Sequence, residues 1–161
     1  MQIKILDSWL REYLKTEAKP AEIAKILSLT SVSVEKLEKL SDDFLYNIEV
    51  TTNRVDLMSV IGLTREASAS LSESGFKAEF KKPKFETIQN ANKFPIEIRN
   101  DPELVNRVCA AVLEVSVKPT PDMIAKRLEA SGIRSLNNLI DVTNYVMRET
   151  GHPAHVFDYD L

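Results

Sequence analysis

The sequence predicts an α+β fold. Three observations carry the prediction. Short runs such as FLYNIEVTT are rich in aromatic and β-branched residues, as strands are. Other segments place apolar residues at three- and four-residue spacing between caps and glycines, as amphipathic helices do. No internal repeat or low-complexity stretch interrupts the alternation.

Taken in order, IKIL (residues 3–6) reads as a short strand. Asp7 or Ser8 then caps a helix with Trp9, Leu10, Tyr13 and Leu14 on one face. A second helix opens at Pro20 and carries Ile23, Ile26 and Leu27. SVSVEKLEKL alternates Val32 and Val34 on one side and predicts a strand, SDD is a turn, and FLYNIEVTT is the next strand. The helix that follows has Asp56 as its predicted N-cap. Leu57, Val60, Ile61, Thr64, Ala67 and Leu71 recur along it, and Gly75 is its stop. FKAEFKKPKFETIQNANKF predicts a short edge strand and then a linker, with a domain boundary near Lys84. Its lysines suit a solvated strand edge better than a phosphate track.

In the second half, FPIEIRN and RVCAAVLEVSV predict strands, separated by a helical turn at DPELVN. In TPDMIAKRLEASG, Thr120 is the predicted cap and Gly132 the end; Met123, Ile124, Arg127 and Leu128 share a side. SLNNLIDVTNYVMRETG predicts another helix with Leu136, Leu139, Ile140, Thr143, Val146 and Met147 on its apolar face, closed by Gly151 and Pro153. AHVFDYDL starts a strand. Two domains are expected, residues 1–84 and 85–161.

Composition narrows the function. The 161 residues are 43% apolar and 28% charged, with a net charge of −3. That balance can bury a core but lacks the basic excess of a domain gripping many phosphates. No apolar run is long enough for a membrane span, and the N-terminus is not a signal peptide. The single cysteine, Cys109, sits in an apolar run, reads as buried, and suits a reducing cytoplasm.

Both histidines, His152 and His155, flank Pro153 just after the last helix. The proline and Gly151 break the helical spacing that would let the pair bind a metal, and no cysteine lies near, so no metal is expected. Thr143 and Asn144 are mediocre helix formers inside a helix that also holds Asn137, Asn138 and Asp141. Such a helix could be structural, or could build one wall of a polar pocket. There is no glycine-rich phosphate loop and no serine–histidine–acid order, so no bound nucleotide or other cofactor is expected. In NRVD, the simplest role for Asn53 and Asp56 is capping, with Arg54 and Arg65 paired to nearby acids.

Three stretches together resemble a known family. IEVTTNRVDLMSVIGLTRE (residues 48–66) is similar to the N-R-P-D-x-x-S-x-x-G-x-A-R-E segment of the bacterial phenylalanyl-tRNA synthetase beta subunit. SGIRSLNNLIDVTNYVMRETGHPAHVFDYDL (residues 131–161) resembles that family's A-G-I-R-P-x-N-N-x-V-D-V-T-N-Y-V-M-x-E-x-G-Q-P-x-H-A-F-D segment, and IKILDSWLREYL fits its start. The resemblance implies a small N-terminal α+β domain followed by the front part of a B3/B4-type editing domain, which hydrolyses tyrosine wrongly attached to the phenylalanine tRNA. By position it implies Thr143, Asn144 and His155 as editing-pocket residues. His152 falls where the family commonly has glutamine and is not expected to share their role.

The resemblance also implies an alpha-subunit partner in a heterotetramer of two alpha and two beta subunits, tRNA(Phe) as substrate, and a cytoplasmic location. ATP and Mg2+ are expected of the whole enzyme and not of this portion. Val55 and Thr64 depart from the usual proline and alanine. An oligonucleotide-binding barrel common in the family is missing, because KLEKLSDDFLYN joins the two flanking strands directly. The chain stops inside the editing domain. The expectation is therefore an N-terminal fragment, with no complete catalytic set, inactive alone in charging and editing. The rival expectation is a non-catalytic RNA- or protein-binding module that reuses the fold.

Overall fold

Residues 1–85 and 96–160 are described by a computed structural model. Contacts group the chain into two units. One is Met1–Pro83 together with Val117–Val156; the other is Lys84–Ser116 with Phe157–Leu161.

The first unit is α+β. Its strands β1 (Gln2–Leu6), β3 (Ser33–Lys39) and β4 (Phe44–Glu49) form an antiparallel sheet in the order β1-β4-β3. Registers Ile5↔Tyr46 and Leu37↔Tyr46 put β4 in the centre, and a bulge lies between Val34 and Lys36. The alternation of Ile3 and Ile5 with polar residues buries one face of β1, as a half-covered sheet requires. The β3–β4 connection is the turn Leu40–Asp43, closed by a 2.9 Å hydrogen bond from Leu40 N to Asp43 O. KLEKLSDDFLYN thus joins the two strands directly.

Helices α1 (Asp7–Tyr13), α2 (Pro20–Thr30) and α3 (Val60–Glu73) supply the rest of the core, with Trp9, Leu10, Ile23, Leu27, Leu63 and Leu71 almost fully buried. The first helix is shorter than its sequence period suggests. Leu14 leaves it to begin β2 (Leu14–Thr16), which pairs antiparallel with β5 (Ala78–Phe80). The expected edge strand at FKAEF is therefore present, while its partner was hidden inside an apparent helical period.

Caps also differ from expectation. Asp7 is the first helical residue rather than a cap, and its buried carboxylate accepts from Tyr46 OH at 2.6 Å and Arg11 Nε at 2.6 Å. Ser59, not Asp56, caps α3, accepting from Gly62 N at 3.0 Å. Asp56 lies in a 3-10 turn (Val55–Leu57) and pairs with Arg54, which also reaches Glu66 at 2.9 Å; Arg65 also contacts Asp56 at 3.6 Å. The arginines thus pair with acids as expected.

Two further helices complete this unit, α4 (Asp122–Ala130) and α5 (Asn138–Thr150). No helix among the described residues is long and apolar enough to cross a membrane.

In the second unit, the helical turn at Asp101 forms, with Val105 N donating to Asp101 O at 2.8 Å. The strand expected at RVCAAVLEVSV does not form, nor does one in the described part of FPIEIRN, nor in AHVFDYDL up to residue 160. A strand is held by hydrogen bonds to a neighbour, and apolar alternation alone cannot supply them. Cys109 is accordingly exposed and not buried. Most of the expected linker, residues 86–95, lies outside the described residues.

Candidate functional site

The candidate residues Thr143 and Asn144 sit on α5, and the ends of that helix are written in its sequence. Asn137 caps it by accepting from Leu139 N at 3.1 Å and Ile140 N at 3.2 Å. Gly151 ends it in the left-handed region at φ 81°, where a side chain would be strained.

The face that α5 turns inward is not the apolar one. Leu136, Val142 and Val146 are exposed, and Leu139, Ile140 and Met147 are only partly covered. The inward stripe is Asp141, Tyr145 and Glu149, spaced four residues apart and hence on one side. Asp141 is fully buried and accepts hydrogen bonds from Thr120 Oγ1 at 2.5 Å, Ser135 Oγ at 2.5 Å and Leu136 N at 3.1 Å. Burial alone would push its carboxyl up, but these donors outweigh it and hold the group below the usual aspartate range. Thr120 is thereby committed to Asp141, and α4 has no side-chain cap.

Tyr145 stacks on Trp9 with centroids 4.6 Å apart and planes at 24°. Arg127 of α4 lies 5.2 Å from the Trp9 ring centre, donates to Tyr145 OH at 2.5 Å and pairs with Glu12. Glu149 Oε1 accepts from Tyr13 OH at 2.7 Å and from Trp9 Nε1 at 3.3 Å. Burial and this carboxylate hold the Tyr13 phenol well above its usual range. Asn138 is also structural: it receives Lys118 N on its side-chain oxygen at 2.8 Å and returns its own N–H to Lys118 O at 3.0 Å. Asn137, Asn138 and Asp141 thus serve capping and packing.

Thr143 and Asn144 lie off this stripe. Thr143 Oγ1 donates to Ile140 O at 2.7 Å, which leaves its oxygen as an acceptor. The Asn144 amide has no hydrogen-bond partner among the described residues, so it offers both donor and acceptor. Beyond the Gly151 cap the chain is irregular. His152 is exposed, its N–H bonded to Thr150 Oγ1 at 3.2 Å, and His155 is exposed three residues further on. Among the described residues no three His, Cys, Asp or Glu side chains gather as a metal would require. A surface groove lined by Leu6, Ser8, Asp43, Asp122, Lys126 and Arg127 includes none of the three candidates.

The family model of the B3/4 domain matches residues 104–161, a span that contains Thr143, Asn144 and His155. Among curated proteins, the phenylalanine–tRNA ligase beta subunit of Carboxydothermus hydrogenoformans is 40% identical over 129 residues. That alignment covers 78% of this chain and 16% of the relative. The beta subunit of Anaeromyxobacter dehalogenans is 42% identical over 121 residues, 74% of this chain and 15% of that protein.

The chain is similar to bacterial phenylalanine–tRNA ligase beta subunits. The beta subunit of Thermotoga maritima extends the similarity to 91% of this chain at 37% identity over 149 residues, and to 18% of its own length. The chain thus spans only a small part of the phenylalanine–tRNA ligase beta subunits it resembles, between 15% and 18% of those named here.

Sequence reasoning missed the anchoring role of the residues that hold α5 in place: Glu12, Tyr13, Arg127, Tyr145 and Glu149. The four-residue spacing of Asp141, Tyr145 and Glu149 was the available signal. It was masked by a stronger apolar period on the other side of the same helix.

Proposed function

We propose that this chain forms part of a phenylalanine–tRNA ligase beta subunit and contributes one wall of an editing pocket, built from Thr143, Asn144 and His155, that hydrolyses tyrosyl-tRNA(Phe). The observation that carries this reading is the similarity to beta subunits over most of the chain, together with the B3/4 match over all three residues. The partner would be the alpha subunit, in an assembly of two alpha and two beta subunits in the cytoplasm. ATP and Mg2+ would serve the charging reaction elsewhere in that enzyme. Without the inserted barrel, this portion would leave tRNA binding to other surfaces.

The chemistry suits the groups available. A hydrophobic pocket shaped for phenylalanine rejects an analogue that merely adds a hydroxyl by only about a hundredfold, so a second, hydrolytic site is useful. The aminoacyl ester is already activated. Water adds to its carbonyl carbon, the bond to the ribose oxygen breaks, and the ribose hydroxyl recovers a proton. A pocket need only orient the water and the ribose and stabilise the developing oxyanion. Thr143 can accept from a hydroxyl or water, Asn144 can donate and accept, and an imidazole can hold a ribose hydroxyl or relay a proton.

The test is deacylation of tyrosyl-tRNA(Phe) by the beta subunit carrying this sequence, assembled with its alpha partner. Thr143→Ala and His155→Ala are each expected to slow hydrolysis by at least about tenfold while charging with phenylalanine continues. Unchanged deacylation in both variants would overturn the reading.

A further inference from the structure

We propose that Glu149 is a positioning residue for the editing wall, acting through Trp9 and Tyr13 of α1; this rests on the function proposed above. A helix turns about 100° per residue, so Thr143 lies roughly 160° and Asn144 about 100° around the axis from Tyr145. The inward stripe therefore decides where both candidates aim. Any roll of α5 about its own axis would redirect them together.

The three members of the stripe constrain that roll differently. Asp141 fixes the start of the helix to the loop before it and to Thr120. The Tyr145–Trp9 stack supplies contact area, but offset stacking tolerates sliding over a range of geometries. Glu149 alone makes directional bonds to two different side chains of α1, through one oxygen, at 2.7 Å from Tyr13 OH and 3.3 Å from Trp9 Nε1. It stands two turns beyond Asp141, so the two carboxylates pin opposite ends of the helix. No ion pair competes for Glu149 among the described residues. Its two donors are neutral groups, so what Glu149 supplies is first of all acceptor geometry.

Glu149→Gln keeps the Oε1 acceptor, whereas Glu149→Ala removes it. Trp9 is the only tryptophan in the 161 residues, so its emission reports the contact directly in this chain. Glu149→Ala is expected to shift that emission, and Glu149→Gln to return it toward the parent spectrum. In the assembled beta subunit, Glu149→Ala is expected to lower kcat for tyrosyl-tRNA(Phe) deacylation roughly tenfold with KM little altered, as misplacement of positioned groups does. Glu149→Gln should restore most of that loss. A Leu128→Ala variant, which opens the core beneath α4, controls for general destabilisation and should not reproduce the kcat effect.

The proposal is overturned if Glu149→Ala deacylates at the parent rate while Thr143→Ala is impaired, or if Glu149→Gln is as defective as Glu149→Ala. If Thr143→Ala and His155→Ala are themselves without effect, it is the editing reading that fails. The Trp9 emission of the Glu149 variants then still decides whether the anchor exists.

Discussion

Tyr145 stacks on Trp9 across 4.6 Å, joining a helix near the end of the chain to the first helix of the fold. The guanidinium of Arg127 covers the same tryptophan and donates to the Tyr145 hydroxyl. One aromatic pair therefore ties α1, α4 and α5 into a single cluster.

Truncating this pair should be costly for a half-buried position. Tyr145→Ala removes the stack, the buried area and the acceptor for Arg127, and is expected to lower unfolding free energy by about 2–3 kcal/mol. Tyr145→Phe removes only the hydroxyl and should cost about 1 kcal/mol. Urea unfolding followed by Trp9 emission measures both; equal losses for the two variants would mean that the hydroxyl and not the stack dominates.

The buried carboxylate of Asp141 makes a pH prediction. Its folded pKa lies below its unfolded value, so it favours the folded state above the unfolded pKa, and that contribution disappears as pH falls through the folded pKa. Asp141→Asn keeps the shape but cannot accept from all three donors, and should cost about 2 kcal/mol at neutral pH. The gap between the parent and Asp141→Asn should hold down to the ordinary aspartate range near pH 4 and close below it. Urea unfolding at a series of pH values measures this; a gap that widens with acid would contradict it.

Gly62 sets two effects against each other. Within a helix, alanine is favoured over glycine by at most about 1 kcal/mol, and Gly62 lies in the first turn of α3. Here a Cβ would overlap the carbonyl oxygen of Asp56 and crowd the Ser59 hydroxyl that caps α3. Backbone cannot yield as a flexible side chain can, so the overlap should win. Gly62→Ala is expected to destabilise by about 3 kcal/mol or more, read from the thermal midpoint by circular dichroism. A gain in stability would show that the 3-10 turn at Val55–Leu57 moves freely.

Much of the first unit was legible because its elements follow local rules. Pro20 with Ile23, Ile26 and Leu27 announces α2, the alternation after Val32 announces β3, and Gly75 stops α3. What escaped depends on partners far along the chain. β2 is three residues long and exists through β5, more than 60 residues away. The inward face of α5 is chosen by contacts such as Glu149 with Trp9, 140 positions earlier, and the four-residue spacing that marks it is weaker than the apolar period beside it. The strands expected at FPIEIRN, RVCAAVLEVSV and AHVFDYDL find no neighbouring strand among the described residues. Thr143, Asn144 and His155 are short polar signals without a spacing of their own; only the resemblance to a family singled them out.

The sharpest test separates the two histidines. His152 and His155 flank Pro153 and are both exposed. In the assembled beta subunit, hydrolysis of tyrosyl-tRNA(Phe) should fall by at least about tenfold in His155→Ala and stay within about twofold of the parent in His152→Ala. Equal losses in the two variants, or no loss in either, would contradict the assignment of His155 to the editing wall.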